Sequence, residues 1–296
     1  MKFSFLIVAL LLPLTLAAPV SDSDEMVQTP GGMLPASSVH PVPEGGAINI
    51  AGDEIQLLDA SKHIVHVAQV NNTKPRVPQQ SGWIAYAYWY NTGSPISYFN
   101  TTWSVPPVPA TNHGQLVYLF NSIEPASYNA ILQPVLQYGV SPAGGGSYWA
   151  VSNWYVTGSV AYFTPLARVN VGQTLTGIIA LTGTTGSGYN YYSGFSNVGG
   201  ALQLWNTTQL VWATETLEAY GITTGTDYPQ GSTLFSSINL FTQSASGTPS
   251  VSWSTSSDAA DGVSATVVKD GAVNAQVNIK YETWISHLIV PSRVIM

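Results

Sequence analysis

Asn129-Ala-Ile-Leu-Gln133-Pro-Val-Leu-Gln137-Tyr138 and Ala213-Thr-Glu215-Thr-Leu-Glu218-Ala-Tyr220 are the two runs from which the fold of this chain is read. Both are short, rich in branched and aromatic residues, and lack helical spacing, so each reads as a β-strand. Side chains alternate across a strand, so odd and even positions sort into faces. Between Val211 and Tyr220 one face carries Val211, Ala213, Glu215, Leu217 and Ala219. The other carries Trp212, Thr214, Thr216, Glu218 and Tyr220. The first is a core face with one odd acid, at a strand end or paired with Arg168. The second is a polar, aromatic-edged wall, which makes Glu218 the better site candidate. In the other run Ile131, Gln133, Val135 and Gln137 share a face, opposite Leu132, Leu136 and Tyr138. Pro134 cannot donate to a ladder, so an edge or a bulge is expected beside Gln133.

The same pattern continues outward. Strand-like runs recur over 83–90, 98–105, 115–121, 131–138, 148–156, 175–182, 189–195, 202–206, 214–221, 234–242, 264–269 and 276–282, separated by Gly, Pro, Asn and Ser clusters. That series predicts an all-β, two-sheet sandwich over 81–282. Residues 283–296 form a tail with no assigned place. Residues 1–18 read as a secretory signal: Lys2, then the apolar run Phe3 to Leu14, then small residues. Residues 19–80 form an N-terminal extension or propeptide. Within it, 19–45 read as flexible and 46–70 as a hairpin around Asp59-Ala-Ser. Lys74-Pro-Arg-Val-Pro-Gln-Gln-Ser81 is a Pro-rich joint.

Composition narrows the chemistry. The net charge is −7, and the chain has no cysteine. Disulfides, thiolate nucleophiles and cysteine–zinc sites are therefore excluded. No basic stripe offers itself to nucleic acid, and no run is long enough to span a membrane. We expect a secreted, extracellular monomer without cofactor, with Asn71, Asn100 and Asn206 opening Asn-x-Thr glycosylation sequons. From Gly82 to Gly225 the only carboxylates are Glu124, Glu215 and Glu218, Arg168 is the only Lys or Arg, and His113 the only histidine. Whatever chemistry the domain performs rests on very few titratable groups.

A third run, Tyr148 to Val156, places Trp149, Val151, Asn153 and Tyr155 on one face. Assembled with the first two strands, it predicts a concave face showing Gln133, Gln137, Trp149, Asn153, Tyr155 and Glu218. Aromatic walls and amides around one carboxylate compose a binding groove. The plainer alternative is ordinary cross-strand pairing.

These residues resemble the eqolisins, the glutamic peptidases with a lectin-like double-sheet sandwich. Ile131-Leu132-Gln133 matches that family's Ile-Leu-Gln motif, and Ala213-Thr-Glu215-Thr-Leu-Glu218 resembles its Ala-Glu-x-x-x-Glu strand. Gly82-Trp83-Ile84-Ala85, Phe120-Asn-Ser-Ile-Glu124 and Tyr148-Trp-Ala-Val-Ser-Asn153-Trp-Tyr155 resemble three further blocks in the same order. Asn153 stands where the family has Glu, Phe120 for Trp, Glu124 for Asp and Thr214 for the first Glu of its strand; the family's cysteines are absent. The likeness spans about residues 81–245.

The resemblance implies a concanavalin-like or jelly-roll sandwich and an acid endopeptidase acting on polypeptides. It puts the catalytic pair on Glu218 and Gln133. Glu218 would take a proton from water and return it to the leaving nitrogen, while Gln133 would donate to the oxyanion. Glu124 and Asn153 would orient them, and Trp83, Trp149, Tyr155 and Gln137 would line the substrate site. The same architecture also carries non-catalytic lectin-like glycan or protein binders, and glycosidases needing two facing carboxylates. No metal site is expected, and Asp258, Asp261 and Asp270 read as a solvated loop.

Overall fold

Two facing sheets are built from the runs above and from further short strands of the N-terminal segment and the body. The computed structural model describes residues 25–69, 82–186, 188–244, 247–258 and 260–281. The N-terminal segment supplies β1 (Met26–Thr29), β2 (Gly32–Pro35), β3 (Val39–Pro41), β4 (Ala47–Ala51), β5 (Glu54–Leu58) and β6 (Ile64–Gln69). The body supplies β7 (Trp83–Tyr90), β8 (Ile96–Ser104), β9 (Leu116–Pro125), β10 (Ala130–Ser141), β11 (Gly144–Thr157), β12 (Ala161–Phe163) and β13 (Ala167–Arg168). It continues with β14 (Thr174–Thr185), β15 (Gly188–Phe195), β16 (Leu202–Thr207), β17 (Leu210–Tyr220), β18 (Ser232–Thr242), β19 (Ser254–Ser257), β20 (Val263–Lys269) and β21 (Ala275–Tyr281).

The first sheet runs β19-β7-β17-β9-β10-β11-β12-β3, with β13 also paired to β11. The second runs β20-β21-β18-β8-β14-β15-β16-β4-β5-β6. The core lies between them. Leu119, Leu132, Trp149 and Leu217 of the first sheet pack into one cluster with Phe99, Trp103, Leu175 and Ile179 of the second. The sheets come very close at Gly177. A Cβ there would meet Asn121 Oδ1 at 2.3 Å, Pro134 Cγ at 3.0 Å and Trp103 at 3.1 Å, so only glycine fits without a shift.

Pro134 lies neither on an edge nor at a register shift. It stands inside β10, between β9 and β11, where it pairs with Asn153. The pairs to β9 are Leu132–Ile123 and Val135–Phe120, and the two residues between them, Gln133 and Pro134, have no ladder partner on β9. A single interruption accommodates the missing N–H without breaking the strand.

The N-terminal segment corrects two further expectations. Residues 25–45 are structured: β1 and β2 form a tight hairpin, and β3 pairs in parallel with β12 at the edge of the first sheet. Residues 47–69 form three strands, and β4 adds in parallel to β16 at the edge of the second sheet. The extension therefore covers one edge of each sheet, which would otherwise present unpaired N–H and C=O groups. The expected signal sequence at 1–18, the Pro-rich joint at 74–81 and the tail at 283–296 lie outside the described residues, as does Asn71. No helix among the described residues is long and apolar enough to cross a membrane.

The asparagines of the other two sequons make hydrogen bonds within the fold. Asn100 is buried; its amide donates to the Ser237 carbonyl (3.3 Å) and its oxygen accepts from Asn239 (3.2 Å). The Asn206 amide donates to Asn49 of β4 (2.8 Å).

One end of the sandwich is tied by Asp227. Its wholly buried carboxylate accepts from the Thr111 hydroxyl (2.6 Å), the Thr223 N–H and hydroxyl (both 2.8 Å) and the Thr224 N–H (3.0 Å), and lies 2.8 Å from His113 Nδ1. Burial works against the charge, but these donors outweigh it and hold the carboxyl below its usual range. His113 thus anchors the loop before β9 to Asp227 and Thr223. Asp227→Ala strands several buried donors and is expected to cost about 2–4 kcal/mol of stability. Urea unfolding of the variant beside the parent protein checks this.

Candidate functional site

The outer face of the first sheet carries a second apolar cluster, and the candidate site lies within it. Leu116, Tyr118 and Phe120 of β9, Ile131 and Val135 of β10 and Trp154 and Val156 of β11 make its floor, with Trp83 and Tyr220 packed against it. Register selects the neighbours. Glu218 on β17 stands opposite Tyr118 on β9, which stands opposite Gln137 on β10. Gln133 stands opposite Trp154 on β11. Gln133, Glu218 and Glu124 all lie on strands of this sheet, and all three are wholly buried.

Trp83 reaches the site through a register shift. Along β7, Ala85 and Ala87 face the inter-sheet core, and simple alternation would send Trp83 there too. Pairing between β17 and β7 slips between Leu217 and Glu218, so Trp83 comes opposite Glu218. From Trp83 an aromatic row continues: it stacks on Trp212 with centroids 5.7 Å apart, and Trp212 meets Tyr88 (5.9 Å) and Tyr128 (5.0 Å). Glu124 pairs across the ladder with Trp212 at that end.

Three expected site residues lie elsewhere. Trp149, Asn153 and Tyr155 point into the core between the sheets, because Gln133 is in register with Trp154 and Val135 with Ser152. Trp149 packs on Tyr138 (5.5 Å). Asn153 donates to the Gly200 carbonyl (2.6 Å) and accepts from Ser193 of the second sheet (3.2 Å). Burial pushes the Tyr155 hydroxyl up to about 12, against a smaller opposing effect of Thr207. Trp154, rather than its neighbours, lies on the groove face. Gln137 shares the groove face, but its amide closes the β10–β11 hairpin by donating to the Gly139 and Gly144 carbonyls (both 2.9 Å). Glu215 sits in mid-strand between the sheets and accepts from Thr101 of β8, while Arg168 lies over the Tyr148 ring (4.4 Å).

The groove is filled by the chain itself. The β1–β2 hairpin turns at Pro30–Gly31, its tip from Thr29 to Gly32 is buried, and Leu34 packs into the groove cluster. Gly31 N–H donates to Glu218 Oε1 (2.8 Å), and the Gln133 amide approaches the Pro30 carbonyl oxygen (3.4 Å). Tyr220 O–H donates to the same Glu218 oxygen (2.6 Å). Glu218 Oε2, Gln133 Oε1 and both oxygens of Glu124 have no hydrogen-bond partner among the described residues.

Burial raises all three carboxyls. Glu218 is pushed up to about 8, although Tyr220, the Gly31 N–H and the nearby Trp83 indole favour its ionised form. Burial and then the charge of Glu218 hold Glu124 far above its ordinary range; burial does the same to Glu215, opposed by Thr101. The linkage has a definite sign. An acid bound more tightly to its proton in the folded state favours folding at low pH. That contribution fades as pH rises from the unfolded value toward the folded one. For Glu218 the window runs from 4.5 to about 8, worth on the order of 4 kcal/mol. Asp227 acts only below its ordinary range, and His40, lowered by burial and then by neighbouring His66, opposes the trend below the ordinary imidazole range. Urea midpoints are expected to be higher at pH 5 than at pH 8; a flat or rising profile would contradict the buried neutral carboxyls.

No family model matches the chain, and no curated protein matches it. Among solved structures, a scytalido-glutamic peptidase with a peptide-based transition-state analogue is similar at 11% identity and TM-score 0.45, covering 68% of this chain and 98% of that one. A second is SCP-B, a member of the eqolisin family of peptidases, in complex with the tripeptide Ala-Ile-His, at 12% identity, TM-score 0.45 and the same coverage. A third, scytalido-glutamic peptidase with a transition-state analogue inhibitor, stands at 13% identity and TM-score 0.44, again covering 68% and 98%. At this level of likeness, the fold described above rests on the sheets themselves.

Proposed function

We propose that the outer groove of the first sheet hydrolyses peptide bonds, with Glu218 as general base and acid and Gln133 as oxyanion donor. One observation carries this reading: the two side chains address the two ends of a single peptide group. The Gln133 amide approaches the Pro30 carbonyl oxygen, and Glu218 meets the Gly31 nitrogen. Those are the atoms at which charge and proton must be managed when an amide is cleaved.

In the reaction, Glu218 removes a proton from a water as its oxygen adds to the carbonyl carbon. The amide of Gln133 donates to the oxyanion so formed. Glu218 then returns the proton to the nitrogen, the C–N bond breaks, and an acid and an amine leave. Tyr220 keeps Glu218 oriented throughout. Glu218 must be ionised to begin, and burial beneath the hairpin keeps it neutral. Water entering an opened groove rehydrates the carboxylate and brings it back toward its ordinary acidic range. Work in weak acid follows, on polypeptides met outside the cell, with the aromatic row from Trp83 to Tyr128 lining the approach.

The test is digestion of denatured casein across pH 2 to 8, with an aspartic-peptidase inhibitor present and products read by mass spectrometry. Both the full chain and its Gly31→Ala variant are used, the latter to open the groove. New peptides confined to acid pH are expected. No product from either protein at any pH would remove the hydrolase reading and leave the groove as a binding surface.

A further inference from the structure

We propose that the β1–β2 hairpin, residues 25–35, is a built-in inhibitor of the groove, held there as a self-ligand, while residues 39–69 are permanent parts of the two sheets. The proposal rests on the peptidase reading for what is inhibited, but the seating of the hairpin is a separate observation.

A two-residue turn leaves one peptide group outside the hairpin's own ladder. Thr29 pairs with Gly32, so the C=O of Pro30 and the N–H of Gly31 are the unused pair at the tip. Pro–Gly is the type II signature, and Gly31 stands at φ 111°. Thr29 Oγ1 donates to the Gly32 carbonyl (2.7 Å), and Ala36 N–H donates to the Glu25 carbonyl (2.7 Å) at the hairpin's base. The tip is thus a rigid object presenting one peptide group to Gln133 and Glu218. It is bound in a form that resists cleavage. Gly31 N–H takes up a Glu218 oxygen that an attacking water would need, and the paired strands hold the two sides of the bond together.

The rest of the segment is attached differently. β3 and β4 add to the edges of the two sheets, and their loss would expose β12 and β16. The hairpin pairs only with itself. Between them lies the short 3₁₀ turn Ala36–Ser38, with Ala36 and Ser37 exposed. Release therefore needs only that the hairpin swing or be cut away at this turn, leaving the sandwich intact.

The experiment uses the full chain and reads two quantities. Hydrogen–deuterium exchange of peptides covering residues 25–35 reports seating, and acid casein hydrolysis reports activity. Gly31→Ala puts a side chain where φ is unfavourable and moves the N–H off Glu218. Leu34→Glu independently removes the apolar anchor. Strong protection of the hairpin in the parent protein is expected, lost in both variants, with hydrolysis rising at least tenfold and the protection of β10 and β17 unchanged. An unprotected hairpin in the parent protein, or equal and measurable hydrolysis by parent and both variants, would overturn the inhibitor. Protection lost in the variants with no hydrolysis by any protein would instead remove the peptidase reading, and latency with it.

Discussion

In a chain opened by Gly31→Ala, Glu218→Gln is expected to lower kcat/KM for an unfolded polypeptide by about 10³-fold or more. The amide is close to isosteric with the carboxyl, and its oxygen still accepts from Tyr220. Fold and substrate affinity should therefore survive. What is lost is the capacity to take a proton from water and return it to the leaving nitrogen. A second signature separates this from damage to the fold. Glu218 is pushed up to about 8, and its share of the pH dependence of stability disappears when the group no longer titrates. Made in the unopened chain, where the hairpin keeps Glu218 buried, Glu218→Gln should be no less stable than its parent at pH 8, with a flatter profile between pH 5 and 8. Activity loss accompanied by an unchanged stability profile would mean that Glu218 is not the buried neutral acid described here.

Gln133→Ala is expected to lower kcat by 10²- to 10³-fold, with a much smaller change in KM, as for removal of an oxyanion donor. Stability should change little. Gln133 is wholly buried, but its only contact of note is a long 3.4 Å approach to Pro30, and its oxygen has no partner among the described residues. A buried amide left so poorly used costs the fold rather than supporting it. Kinetics of the variant in the Gly31→Ala background, beside its urea midpoint, make the check. A large stability loss with a proportionate activity loss would mark Gln133 as structural.

Much of this was legible in the runs quoted at the outset. Every strand-like run of the body became a strand, because turn formers and alternation are local signals. Parity within β17 separated Glu218 from Glu215 correctly, since both lie on one strand. Parity could not rank residues on different strands. Whether Gln133 faces Trp154 or Tyr155 depends on the β10–β11 register, which is set by packing across the ladder. Trp149, Asn153 and Tyr155 lie in the inter-sheet core for that reason, and Trp83 reaches the groove only through the register shift opposite Glu218. Composition alone makes 19–45 read as flexible and hides the hairpin. Thr29-Pro30-Gly31-Gly32, flanked by Met-Val-Gln and Met-Leu, carried a turn signal strong enough to name a hairpin. That it seats on Glu218 is a contact across 187 residues, which no local signal contains.

The most direct measurement is the initial rate of hydrolysis of one unstructured, fluorogenic peptide at pH 4 by two chains, Gly31→Ala and Gly31→Ala with Glu218→Gln. The account predicts measurable turnover by the first and a rate lower by about 10³-fold or more in the second. Equal rates from two folded proteins would contradict it and place the chemistry, if any, away from Glu218.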